Sequence, residues 1–433
     1  MPQELIEVTT NRWIIRVLMI LFLVLAVIWA WFVVSWYVGN MLAETVTGPG
    51  DREIELAQTA VSVSPSDPLT HWRLANLTQL KSPSKIEEAI PEYQKAVSLS
   101  PNDYRFWMTL GIALEQAGHS EQGEAALKRA VSLAPAYAQG HWYLGNLLLR
   151  NGDYEEAFKE LNIASEANSE LRPQFYTMLR EIYGADFDSL LKAIGGKPAA
   201  RADFALYLVK RGRFEDGLRL WSTLSPANRT ENRGAADAII ASLLASKKYY
   251  EALNVWNDVA PTPLSRASIG RILDGGFEDL SGYGPEMVFA WQVKTPAQMQ
   301  INVDRSNAHS GRRSLRLVFQ VRDNLTSLGT TQLIPVAPNT EYEFEFYRKS
   351  QNLESGSTPF VELTDAATGK SLTASDGAPN GNSDWQRVGL TFKTPPDCWA
   401  VIVALKRGLC PDADLCPIFG TVWYDDFNLK PRN

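Results

Sequence analysis

The spacing of apolar residues along the chain falls into three regimes. From Val17 to Leu42 the run VLMILFLVLAVIWAWFVVSWYVGNML carries no charged residue. A hydrocarbon core of about 30 Å takes about 20 apolar residues to cross, so this run predicts a membrane-spanning helix with some tilt. Between about 51 and 261 apolar residues recur at helical spacing. After about 271 the period drops to two: in RSLRLVFQV, Leu315, Leu317 and Phe319 alternate with Arg316 and Val318, the pattern of a half-buried strand.

Arg12 and Arg16 precede the apolar run, and Glu44, Asp51 and Glu53 surround Arg52 beyond it. This bias predicts a cytoplasmic tail over 1–12, a span over 13–42 and everything later on the far side, in the periplasm of a single-pass inner-membrane protein. Trp29, Trp31, Trp36 and Tyr37 crowd the second half of the run as an interfacial belt does. A cleaved signal peptide has an apolar region of only about 7–15 residues and a small-residue cleavage site, so the expectation is an uncleaved signal anchor.

The helical stretch repeats. AVSLSP ends at Pro101 and AVSLAP at Pro135, 34 residues later, and AVSVSP ends at Pro65. Such a period predicts a solenoid of helix pairs. Trp107, Leu110, Gly111 and Leu114, then Gly123, Leu127, Ala130 and Pro135, resemble the two helices of a tetratricopeptide repeat. Leu144, Gly145, Leu148, Ala157, Leu161 and Ala164 resemble the next, with His141 where Trp is usual. A first unit runs through Trp72, Ala75, Ala89, Tyr93, Ala96 and Pro101, with an extra residue in its KSPSK turn. The expectation is one all-α solenoid over 51–261, with clear repeats over 70–168 and degenerate ones over 200–261 after a longer helical insert. The resemblance implies a protein partner on the concave face.

The junction APTPLSRASIG (260–270) has no helical period and predicts a boundary. Beyond it, MQINVD, RSLRLVFQV, TTQLIPV, EYEFEFYRK, PFVELTD, WQRVGLTFK, WAVIVALKR and TVWYDDFNL read as seven or eight antiparallel strands, hence an all-β jelly-roll sandwich over 271–431. ILDGGFED, FAWQV, HSGRRSLRL, VAPNTEYEFEFYRKS, DWQRVGLTF and VWYDDFNL, in that order, resemble the galactose-binding-like sandwiches that include carbohydrate-binding modules. The resemblance implies a structural calcium, with Glu278 and Asp425 as its carboxylates; the alternatives are strand-end capping in solvent or pairing with Arg313 or Arg316. Sugar binding wants an aromatic face and planar polar groups. Tyr342, Phe344 and Phe346 fall on the core face of their strand, leaving Tyr347 opposite; Arg348, Trp399 and Arg407 lie at strand ends. Tyr347, Arg348, Trp399 and Arg407 are the glycan candidates, while Trp291, Trp385 and Trp423 are assigned to the core.

Composition narrows the partners. A net charge of −7 with no basic face argues against nucleic acid. The four His are scattered without ligand spacing. Cys410 and Cys416 in CPDADLC predict a disulfide and an oxidising compartment, with free thiols as the alternative, and Cys398 is left over. No nucleophile elbow, phosphate loop or paired His is present, and Asp425 and Asp426, as strand neighbours, point to opposite faces, so no catalytic residue is nominated. The resulting expectation is a membrane-anchored, envelope-facing adaptor that holds a protein through the repeats and polysaccharide or a second protein through the sandwich, in polysaccharide assembly or export. The rivals are an assembly subunit that never meets sugar and, further off, an enzyme with an unrecognised site.

Overall fold

A computed structural model of the chain describes residues 12–45, 48, 50–184, 186–279, 287–410 and 414–432; the expected cytoplasmic tail falls outside them except for residue 12. It divides into two compact units, 1–195 and 196–433, with the division inside the span for which the repeats predict one continuous solenoid.

In the first unit, helix α1 (Arg12–Thr45) is long and apolar enough to cross a membrane by length and composition. Its far end rests on α2 (Asp51–Val63), where Gly39 lets the backbones meet: a Cβ there would lie 2.6 Å from Ser64 Cβ. Then come the pairs α3 (Pro68–Lys81) with α4 (Ile90–Leu99), α5 (Tyr104–Gln116) with α6 (Ser120–Leu133), and α7 (Ala138–Asn151) with α8 (Tyr154–Ala167). Asp67 and Asp103 cap α3 and α5 by accepting from the amides of Leu69 and Arg105, each at 3.0 Å. Gly111 and Gly145 mark where paired helices touch; a Cβ would sit 2.7 Å and 2.6 Å from the Cγ atoms of Leu127 and Leu161. The KSPSK turn winds into a 3₁₀ segment, Pro83–Glu88. The insert forms α9 (Arg172–Tyr183) and α10 (Phe187–Ala193).

The second unit begins with α11 (Pro198–Lys210) and α12 (Phe214–Ser222), followed by a short α13 (Pro226–Glu231) and a second pair, α14 (Arg233–Ala245) and α15 (Tyr249–Val259). The Pro-rich junction is a strap packed on these helices. Trp256 Nε1 donates to the Ser265 carbonyl (3.0 Å), and Asn257 both donates to the Ala267 carbonyl (2.9 Å) and accepts from its amide (3.0 Å). Trp256 is fully buried and meets Phe289 of the sandwich at 6.3 Å between ring centres.

The strands are β1 (Gln292–Val293), β2 (Met299–Asp304), β3 (Ser314–Val321), β4 (Ser327–Pro335), β5 (Glu341–Ser355), β6 (Phe360–Asp365), β7 (Ser371–Ala374), β8 (Gly381–Lys393), β9 (Ala400–Lys406) and β10 (Ile418–Pro431). They form two five-stranded sheets in the orders β1-β4-β9-β6-β7 and β2-β3-β10-β5-β8, antiparallel at every pairing. Alternation decides what fills the space between them: Leu315, Leu317, Phe319, Tyr342, Phe344 and Phe346 from one sheet meet Ile334, Val361, Leu363, Val401 and Val403 from the other. The strands β1 and β7 escape the sequence pattern because two and four residues are too few for a period to show.

Candidate functional site

Three regions carry candidate chemistry, and the first is the concave side of the repeats. First helices α5 and α7 enclose a cavity of about 260 Å³ lined by Ile112, Glu115, Trp142, Tyr143, Asn146 and Arg150, among others. Arg150 Nε pairs with Glu115 Oε1 at 2.8 Å across it. The same face continues onto α3, where Trp72 Nε1 donates to Thr109 Oγ1 (3.0 Å) and Gln79 Nε2 to Gln116 Oε1 (2.7 Å). Trp72 and Asn76 recur as Trp142 and Asn146, each Asn donating to the carbonyl of its Trp one turn back. Repeat to repeat, the side chain that corresponds to Trp107 is thus His71 and not Trp72. Ring nitrogens of His71, Trp107 and His141 each donate to the proline carbonyl six residues earlier, at 3.0, 2.9 and 2.9 Å.

The second region is the corner where the sandwich begins and ends. Glu278 and Asp425 both close on the turn 309–313. Glu278 Oε1 accepts from the amides of Arg312 (2.6 Å) and Arg313 (3.1 Å), and the Arg313 guanidinium donates to the Glu278 carbonyl (2.6 Å). Asp425 is wholly buried; its Oδ2 accepts from the amides of His309 (2.7 Å) and Ser310 (3.3 Å), and its Oδ1 from the amide of Asp426 (2.8 Å). Burial pushes the Asp425 carboxyl up to about 6, against the pull of the His309 amide and with the push of neighbouring Asp426. Gly311 (φ +62) leaves the room the clamp needs, since a Cβ there would lie 2.2 Å from Glu278 Oε1. These oxygens face N–H donors, a poor fit to a calcium ion, which asks for a shell of 6–8 oxygens. Among the described residues no three His, Cys, Asp or Glu side chains converge as metal ligands.

The expectation that Asp425 and Asp426 point apart fails at a bulge. The β5–β10 register shifts between Asp425 and Asn428, and Asp426 turns to φ +52. Asp426 therefore reaches the same turn, accepting from Ser310 Oγ (2.7 Å) and contacting His309 Nδ1 (2.6 Å).

The third region holds the glycan candidates, which the fold scatters. Tyr347 lies on the outer face of its sheet, but His309 stacks on it at 3.5 Å and 15°. Trp385, assigned to the core from sequence, is half-buried on that outer face beside His309, whereas Trp291 is buried against Phe277 and Phe427. Trp423 is buried outside the inter-sheet core, beneath the Arg316 guanidinium, and donates to Asp304 Oδ2 (2.8 Å). Arg348 is buried with Nη1 on the Asp376 carbonyl (2.6 Å). Arg407 is buried too, donating to the carbonyls of Ser357, Cys416 and Pro417; both arginines tie loops and neither reaches a rim. Cys410 and Cys416 are joined by a disulfide beside Arg407. Trp399 keeps 43% of its surface exposed and meets Tyr250 of α15 edge-to-face at 5.2 Å.

Comparison with known proteins fits the helical geometry. The family model described as Tetratricopeptide repeat matches residues 109–170. A TPR repeat-containing thioredoxin, TTL4, of Arabidopsis thaliana is 33% identical over 79 residues, 18% of this chain and 12% of that protein. A peroxisomal targeting signal receptor of Candida glabrata is 30% identical over 77 residues, 18% of this chain and 13% of that protein. The chain thus spans about an eighth of the length of these relatives. Among solved structures, MamA (residues 41 to the end) from Desulfovibrio magneticus RS-1 is 24% identical over 31% of this chain and 75% of that one, with a TM-score of 0.27. A structure titled "CBM4 structure and function" is 16% identical over 37% of this chain and 99% of that one, also with a TM-score of 0.27. Residues 109–170 are tetratricopeptide repeats, and an antiparallel two-sheet sandwich follows the helices.

Proposed function

We propose that the chain is a membrane-anchored adaptor: the repeats hold a segment of a partner protein, and the sandwich holds glycan or a second protein in the cell envelope, in polysaccharide assembly or export. The observation that carries the reading is the groove across α5 and α7, where Trp142, Tyr143 and Ile112 offer apolar anchors beside the Arg150–Glu115 pair. An apolar pocket with a few oriented polar groups suits a short peptide segment. One relative is named as a targeting signal receptor, which supports a protein segment as the repeats' ligand. The length and apolar character of α1 support anchoring, and the disulfide supports an oxidising compartment.

The test is selection of peptides from a random library on the full chain in detergent micelles. Trp142→Ala and Arg150→Glu are expected to weaken selected peptides about tenfold or more, as loss of an anchor does, without altering the thermal melt. Unchanged affinity in both variants would rule the groove out.

A second reading, an assembly subunit that never meets sugar, draws support from the internal engagement of Tyr347, Arg348 and Arg407. A glycan array probed with the full chain separates the two.

A further inference from the structure

Of the four side chains that the sequence nominates for sugar, only Trp399 offers a large exposed ring. It does so at a cavity of about 280 Å³ whose remaining walls are Lys247 and Lys248 of the α14–α15 turn and Tyr249, Tyr250 and Glu251 at the start of α15. The site lies wholly within the second unit. Its aromatic wall is held in place, because Tyr250 donates its hydroxyl to the Val336 carbonyl (2.8 Å) while meeting the Trp399 ring.

The charge beside that ring is specific. Lys248 faces Glu251 at 3.9 Å and lies over the Phe214 ring at 5.8 Å, so Glu251 is opposed by its own neighbour. Among the described residues Lys247 has no ion-pair partner, and Asp365, the carboxylate within electrostatic reach of Tyr249, is engaged by the Ala367 amide (2.7 Å) and the Thr368 hydroxyl (2.9 Å), which leaves the Lys247 ammonium to meet an anion. Lys247 also sits at φ +60, a place that the corresponding turns give to Gly118 (+87), Gly152 (+85) and Gly212 (+77). Glycine holds that backbone without strain and lysine does not, so the side chain is kept at a conformational cost.

We infer that this cavity takes an acidic sugar residue of a polysaccharide, with the pyranose face on Trp399 and its carboxylate on the Lys247 ammonium. An indole ring packs the C–H face of a sugar, and an ammonium forms charge-assisted hydrogen bonds to a carboxylate. The assignment rests on the glycan reading of the sandwich and names its ligand and its site; half of that site belongs to a helical repeat.

Calorimetric titration of the full chain in detergent micelles tests it, with hexagalacturonate as probe and a neutral glucose hexasaccharide for comparison. Hexagalacturonate is expected to bind about tenfold or more tightly than the neutral sugar and to weaken as salt is raised. Trp399→Ala and Lys247→Gly are each expected to cost about tenfold or more. Lys247→Gly should melt no lower than the parent, because glycine suits the backbone there, which separates lost binding from lost folding. Hexagalacturonate binding untouched by both substitutions overturns the site and leaves the glycan reading standing. Equal binding of the neutral sugar, insensitive to Lys247→Gly, overturns the acidic assignment. No binding of hexagalacturonate overturns the inference, and a glycan array then decides whether the wider reading falls with it.

Discussion

At the scale of single residues, the repeat alignment shows what spacing can and cannot deliver. The 34-residue period was legible, yet Trp72 attracts the eye to the wrong register because it is a tryptophan. The position is defined by a ring N–H that reaches the proline carbonyl, a task that His71 and His141 perform as well as Trp107. The histidines add a second contact that tryptophan cannot make, Nδ1 to Glu92 and Nδ1 to Glu160, each at 2.5 Å. His141→Ala removes both hydrogen bonds and leaves a buried gap, so a loss of about 2–4 kcal/mol in chemical denaturation of the first unit is expected. His141→Trp keeps the proline contact and should recover part of that loss; equal destabilisation by both would refute the equivalence. Cys398 is the simpler case. It is buried, and burial pushes its thiol up to about 12, so it should resist alkylation at pH 8 in the folded chain and react once denatured.

At the scale of elements, the corner clamp explains why Glu278 and Asp425 were legible as a pair while the groups that meet them were not. Sequence order brings Glu278 and Asp425 together, since the first and last segments of the sandwich meet there. It cannot disclose that amides of the turn 309–313 already satisfy them, because backbone N–H groups leave no mark in a sequence. The bulge that swings Asp426 onto the same turn is invisible for the same reason: alternation is the only guide, and a bulge suspends it. The clamp has a pH signature. The Asp425 carboxyl titrates near 6 when folded, above its ordinary value of 3.8. Its contribution is therefore complete below about 4 and is lost as pH rises through about 6, up to roughly 3 kcal/mol for a shift of this size. Asp425→Asn should flatten the decline in stability between about pH 4 and pH 6.5, with little change in slope above that; an unchanged slope would mean that the carboxyl is ionised throughout.

At the scale of the whole molecule, the boundary between helices and strands is a change of period and not a division between folding units. The sequence marks a boundary at 260–270 because Pro and Ser interrupt the helical pattern. Those residues instead lie against α15, with Ser265 and Ala267 hydrogen-bonded to Trp256 and Asn257, and Gly270 donating to the Pro335 carbonyl (2.7 Å). Periodicity reports which face of an element is apolar, but not which neighbour covers it, so it does not disclose that Trp256 packs on Phe289. The helices over 196–261 and the sandwich therefore stabilise each other. A fragment 196–433 is expected to unfold in a single transition. A fragment 271–433, cut where the pattern changes, uncovers Phe289 and Trp399 and loses the Tyr250 and Trp256 contacts. Burial of two large aromatics contributes about 2–5 kcal/mol, so differential scanning calorimetry should place its Tm roughly 5–15 °C below that of the longer fragment. Equal melting temperatures would show that the helices merely abut the sandwich, and the cavity at Trp399 would then lack the fixed wall that its ligand needs.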